Sequence, residues 1–126
     1  MVMAQEFSRF KVRFLLDGVG AATGELVRFL APRTVEALMR AMPLEGRAAV
    51  WREEVYFQTN VTIGAEKEKT RVEKGTIAYW PLGSAVCVFY GNSQPYSPVN
   101  VIGRIAEGLD LFREVKQGTR ITLESL

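Results

Sequence analysis

Phe10, Val12, Phe14 and Leu16 alternate with Lys11, Arg13 and Leu15, the period-two pattern of a strand with one face on a core. Asp17-Gly18 and Gly20 permit a tight reversal into a second strand around residues 25–30. Pro32 suits a first helical turn, and Val35, Leu38, Met39 and Met42 follow at i, i+3, i+4 and i+7. That spacing predicts one short amphipathic helix, stopped by Pro43. From residue 47 to residue 59 the alternation returns and reads as a single strand. Its inner face carries Ala49, Trp51, Val55 and Phe57, interrupted by Glu53; its outer face carries Arg52, Glu54, Tyr56 and Gln58. A strand irregularity that turns Glu53 outward accounts for the interruption.

Residues 65–74 (AEKEKTRVEK) mix charges of both signs, as a solvent-facing excursion does. Residues 77–80 and 85–90 are β-branched and aromatic, and Pro81-Leu82-Gly83-Ser84 between them supplies a hairpin turn. The two prolines of residues 92–98 (NSQPYSP) predict an ordered loop at a barrel rim. A strand over 99–105 follows, then a short helix over 109–115 with Leu111, Phe112 and Val115 inward, Gly118 as its cap, and a last strand over 120–123. About eight short strands, two helices and no strand-helix rhythm predict a mainly β fold. The expected architecture is a closed antiparallel eight-stranded barrel capped by two short helices, with an open sandwich as its rival.

With 126 residues, 48% of them apolar, the chain reads as a single domain over 1–126. A formal charge of +2 is too small for a nucleic-acid footprint, and Arg9, Lys11 and Arg13 read as one solvated strand face. Residues 1–7 lack the apolar core of a signal peptide, and no run approaches the ~18 apolar residues of a membrane span. A cytoplasmic protein without a membrane partner is the expectation, and Cys87, the one cysteine, reads as a buried inert thiol. The chain has no histidine. That excludes Ser-His-Asp and Cys-His nucleophile systems and histidine metal ligands. No Cys/Asp/Glu group has metal spacing and no phosphate loop is present, so neither metal nor cofactor is expected.

Three segments resemble the cyclophilin family. Ala31-Pro32-Arg33-Thr34-Val35-Glu36 is similar to the A-P-x-T-V-x-N-F opening of the first cyclophilin helix, residues 83–89 (GSAVCVF) to its G-S-Q-F-F-I strand, and residues 101–115 (VIGRIAEGLDLFREV) to its V-F-G-x-V-x-E-G-M-D-V-V stretch. The resemblance implies an eight-stranded barrel capped by two helices, and proline isomerisation as the family's activity. The isomerase positions do not carry over. The family glutamine falls on Ala85, a pocket phenylalanine on Cys87, the pocket histidine on Val99 and the pocket tryptophan near Gln94; the family arginine has only a loose counterpart in Arg52. The chain looks closer to small prokaryotic cyclophilin-like proteins of unknown function. The same barrel also occurs in bacterial subunits associated with 5-oxoprolinase and allophanate-type hydrolases.

True cyclophilins bind peptide on the outer barrel face, which directs attention to the outward row. Arg52 would bind a carboxylate or polarise a carbonyl, Glu54 would orient it or hold a cationic group, and Tyr56 would offer an apolar wall with a hydroxyl. Gln58 ends that row, Trp80 and Asn100 are its candidate neighbours, and Arg47 is a second candidate anion binder. The first expectation is therefore a module that binds a peptide segment or small anionic ligand. A residual prolyl isomerase using Arg52, and a non-catalytic subunit of an amide-hydrolase complex, are the alternatives. Self-association or a protein partner stays open.

Overall fold

Alternating apolar residues close on themselves here because every strand finds a partner on both edges. In this computed structural model, which describes residues 8–126, the strands are β1 (Arg9–Leu16), β2 (Gly20–Val27), β3 (Leu44–Trp51), β4 (Glu54–Gln58), β5 (Thr76–Trp80), β6 (Ala85–Phe89), β7 (Asn100–Glu107) and β8 (Arg120–Ser125). All pairings are antiparallel and run around the barrel in the order β1-β2-β7-β5-β6-β4-β3-β8, with β8 closing the seam back onto β1. Residues 1–7, read above as lacking a leader's apolar core, lie outside the described residues.

The lumen holds Val12, Phe14 and Leu16 of β1 with Leu26, Leu44, Phe57, Tyr79, Ile102 and Leu123 from other strands, all buried. The helix α1 (Pro32–Ala41) follows the Val27 end of β2, after a 3-10 turn at Arg28–Leu30, and adds Val35 and Leu38 to that cluster. A longer 3-10 segment, Leu109–Glu114, sits where Leu111 meets Gly20 at the opposite end and packs Phe112 edge-on against Phe14, with ring centres 5.7 Å apart. The two expected helices are thus present, the second wound more tightly than an α-helix. The second strand is shifted from its expected position: pairing with β1 runs from Gly20 to Val27, and residues 28–30 leave the sheet. Arg9 and Arg13 project outward and pair with Glu25 and Glu124.

The expected single strand over 47–59 is a hairpin. β3 and β4 pair with Trp51 opposite Glu54, leaving Arg52 and Glu53 as a two-residue turn in which Arg52 has φ +55°. A two-residue turn shifts the inside-outside parity of everything before it relative to everything after it. Val55 and Phe57 therefore face the lumen as expected, whereas Ala49 and Trp51 belong to the outer face and Ala48 and Val50 pack with the lumen cluster. Glu53 interrupts the inner pattern because it is a turn residue.

The long excursion between β4 and β5 lies against the barrel. Ala31, at the start of α1, offers no side-chain cap, and Glu66 takes over from the excursion. Its carboxylate accepts the Arg33 and Thr34 amides at 3.0 and 2.9 Å and the Thr34 hydroxyl at 2.7 Å. Fully buried Asn100 locks this arrangement, accepting from the Glu66 amide and donating to the Gly64 carbonyl and the Thr34 hydroxyl. Burial alone would raise the Glu66 pKa, but the Arg33 and Thr34 donors and the Arg33 charge outweigh it and hold the carboxyl below its usual range. Replacing Glu66 by alanine is expected to cost about 1–2 kcal/mol, the range of a lost helix cap, measured by urea unfolding at neutral pH. The deficit of Glu66→Gln should shrink as pH falls through the carboxylate range, since a depressed carboxyl stabilises the fold only while ionised.

Candidate functional site

The turn parity that places Trp51 outside also creates a recess on the outer barrel wall. Glu54 and Tyr56 project from β4, Trp51 from the end of β3 and Trp80 from the end of β5, and residues 95–97 cross above them. With Val99 they enclose a pocket of about 160 Å3. The walls are held by specific contacts. Tyr56 meets Trp80 edge-to-face at 5.8 Å and Trp51 meets Tyr96 likewise at 6.0 Å, while Trp80 donates its indole N–H to Ser97 Oγ at 2.6 Å. The Trp80 ring lies so close over Gly83 that a β-carbon there would fall 2.4 Å from it.

The crossing loop is anchored at both ends. Glu53 holds the first: its amide donates to Ser93 Oγ, its carboxylate accepts the Asn92 amide at 2.8 Å, and that carboxylate fills the space a side chain on Gly91 would take. The second is tied to the excursion by Lys69 and Val99, which exchange backbone hydrogen bonds, while Gln94, just before the crossing, pairs its amide group with both the N–H and the carbonyl of Val72. The loop thus hangs between two fixed points, with Tyr96 at its crest 78% exposed.

Glu54 is the one carboxyl in the pocket lining. Its residue is only 6% exposed, and among the described residues no arginine or lysine pairs with it. Burial raises its pKa from 4.5 to about 7, opposed in smaller part by a hydrogen bond with the Cys87 thiol of β6. Burial, together with the facing Glu54 charge, pushes that thiol well above its usual value. Cys87 therefore sits behind the pocket as an un-ionised group, packed with Ala78, Phe89 and Val99 in a small outer-wall cluster.

Of the residues singled out from sequence, Glu54, Tyr56 and Trp80 converge here. Arg52 stands at the rim, its guanidinium 4.6 Å from the centre of the Trp51 ring. The others lie elsewhere. Arg47 donates to the Gly118 carbonyl, exposed Gln58 borders a shallow hollow with Pro43 and Asn60, and Asn100 is committed to the Glu66 lock. Two neighbouring tyrosines serve the fold instead of the pocket: Tyr79 faces the lumen and donates to the Val61 carbonyl, and Tyr90 donates to the Arg52 carbonyl beneath the turn. Trp51, Pro95, Tyr96, Ser97 and Val99 were not anticipated. For Trp51 the signal was present: a glutamate in an inward register marks a turn more economically than a bulge.

Among the described residues no group of three metal-ligating side chains converges, and no helix is long and apolar enough to cross a membrane. A comparison with curated protein sequences returned no significant match. Several solved structures resemble the chain, two of them as follows. A hypothetical protein from Archaeoglobus fulgidus, solved in solution, superposes with a TM-score of 0.82 at 33% identity, covering 94% of this chain and 96% of its own. McbB, solved in complex with tryptophan, superposes at 0.72 with 20% identity, over 90% of this chain but only 44% of its own, a likeness of fold alone. The sequence model of the cyclophilin-like family matches residues 10–124. The closed barrel, that near-complete match and the archaeal relative make this chain a member of the cyclophilin-like family.

Proposed function

We propose that the protein is a binding module that takes the flat, mostly apolar part of a small molecule into the pocket between β4 and the 95–97 loop. The observation that carries this reading is the convergence of Trp51, Tyr56, Trp80 and Tyr96 around one recess on the outer barrel wall. Aromatic walls offer a large apolar contact area with fixed edge-to-face geometry, and they lose little side-chain entropy on binding. The volume of about 160 Å3 suits a one- or two-ring ligand, since a cavity of about 150 Å3 accepts benzene. McbB, which shares the fold, is solved with tryptophan, a ligand of comparable size and character. A peptide would reach the pocket through a single inserted side chain. The prolyl-isomerase and hydrolase-subunit readings rest on family resemblance; the arginine that the first requires stacks on Trp51 at the rim.

Both tryptophans of the chain line the pocket, so intrinsic fluorescence and the two indole N–H resonances report on it directly. Titration with single-ring and indole-sized aromatics is expected to shift both signals saturably. Trp80→Ala, which opens one wall and releases Ser97, should weaken binding roughly tenfold or more, a loss of about 1.4 kcal/mol or greater. Absence of any saturable shift across such ligands would remove the reading.

A further inference from the structure

Resting on that reading, we infer that the occupant carries a protonated amine beside its ring, and that Glu54 is the residue selecting for it. Three features of the recess support this. The first is the chemistry of its lining, which combines four electron-rich ring systems with one carboxyl group and no cationic side chain. Aromatic faces attract ammonium groups, best where water is excluded. Indole and phenol walls around a carboxylate thus form a receptor for an organic cation.

The second is the unbalanced position of Glu54. A carboxyl this deeply buried ordinarily has an arginine or lysine partner, because an isolated buried charge is costly. Here the nearby cations are occupied elsewhere. Arg52 lies over the Trp51 ring, and Arg113 reaches Glu53, Asp110 and the Tyr90 carbonyl. A ligand ammonium would supply the missing counter-charge.

The third is the behaviour of the groups around that carboxyl. On its own strand the facing titratable group is Tyr56; from β6 it is Cys87, from the crossing loop Tyr96, and from the turn Arg52 at the rim, while Glu53 points away toward Asn92. None of the groups lining the recess neutralises Glu54, so burial raises its pKa to about 7 with only the Cys87 thiol opposing it. An amine, whose own pKa lies near about 10, would be charged on both sides of that value. Its binding should strengthen as pH rises and Glu54 ionises, with a proton released from Glu54 in the acidic range. An aromatic acid should show the opposite slope, because it is accepted only when Glu54 is protonated.

The test uses three probes of one shape, 2-phenylethylamine, ethylbenzene and 3-phenylpropionate, followed by the indole resonances at about pH 5.5 and about pH 8. At the higher pH the amine is expected to bind at least about tenfold tighter than ethylbenzene and the acid more weakly than either; at the lower pH the amine's advantage should largely vanish. Glu54→Gln, nearly isosteric, should erase the preference of the pocket for the amine over ethylbenzene. Equal affinities of amine and hydrocarbon at the higher pH, or a preference for the acid, would overturn the assignment while leaving the aromatic pocket intact. If no probe shifts either indole signal, the pocket itself is not a binding site and both proposals fail. The wild-type pH profile decides the matter even if the glutamine variant does not fold.

Discussion

Replacing Gly103 by alanine is expected to destabilise the barrel by about 3 kcal/mol, near the upper end of overpacking effects, visible as a large drop in Tm and a lower urea midpoint. A β-carbon at Gly103 would stand 1.9 Å from the Glu25 carbonyl oxygen and 3.0 Å from the Leu26 α-carbon. Both obstacles are backbone atoms of β2, so no side chain can rotate away and the whole strand must move. The strain is local to a crowded joint. Gly24 on β2 faces the same problem from the other side, with its β-carbon 2.8 Å from the Arg104 carbonyl oxygen, and the β2–β7 register shifts between Thr23 and Gly24. Gly64, where a β-carbon would meet nothing within 4 Å, is the matched control, and its alanine variant should stay within about 0.5 kcal/mol of wild type. Equal stability of the two variants would show that β2 and β7 do not approach this closely.

The second large effect is a dependence of stability on pH that runs opposite to the usual acid denaturation. The Glu54 pKa rises from 4.5 in the unfolded chain to about 7 in the fold. Between those values the folded protein holds a proton that the unfolded chain has released, so stability is greatest at the acidic end and declines as pH rises through 7. A shift of this size corresponds to something on the order of 3 kcal/mol when fully expressed. The chain has no histidine to titrate in the same interval. Glu54→Gln removes the dependence, so its stability relative to wild type should grow from about pH 5 to about pH 7 and level off above that in urea unfolding. A constant difference over that range would mean that water reaches the carboxylate freely.

Much of the barrel was legible because one-sided burial writes itself into alternation. β1, β5 and β6 show it or its fully buried form, and the Pro32 start and Val35-Leu38 stripe of α1 need no tertiary information. The boundary of β2 was not legible. Gly20, Ala21, Ala22 and Gly24 have little strand propensity, and they pair because β1 presents a complete edge opposite them. The β3–β4 turn was missed for a related reason. Arg52-Glu53 contains neither glycine nor asparagine, the usual carriers of positive φ, yet the barrel imposes φ +55° on Arg52. That error displaced Trp51 from one face to the other and hid half of the pocket. The roof was out of reach for a different cause, since the position of residues 95–97 depends on Glu53, Gln94 and Val99 meeting partners more than twenty residues away. What alternation did show was the outward row of Glu54 and Tyr56, on which the site is built.

The seam between β1 and β3 is filled by β8, the last strand along the chain. During synthesis, then, neither flanking strand can satisfy its second row of amides and carbonyls until residues 120–125 have cleared the ribosome. A nascent chain halted before that point exposes two open edges together with Phe14 and Leu44, an invitation to stray pairing with other polypeptides. Ring closure accordingly waits for β8, which must meet both flanking edges at once.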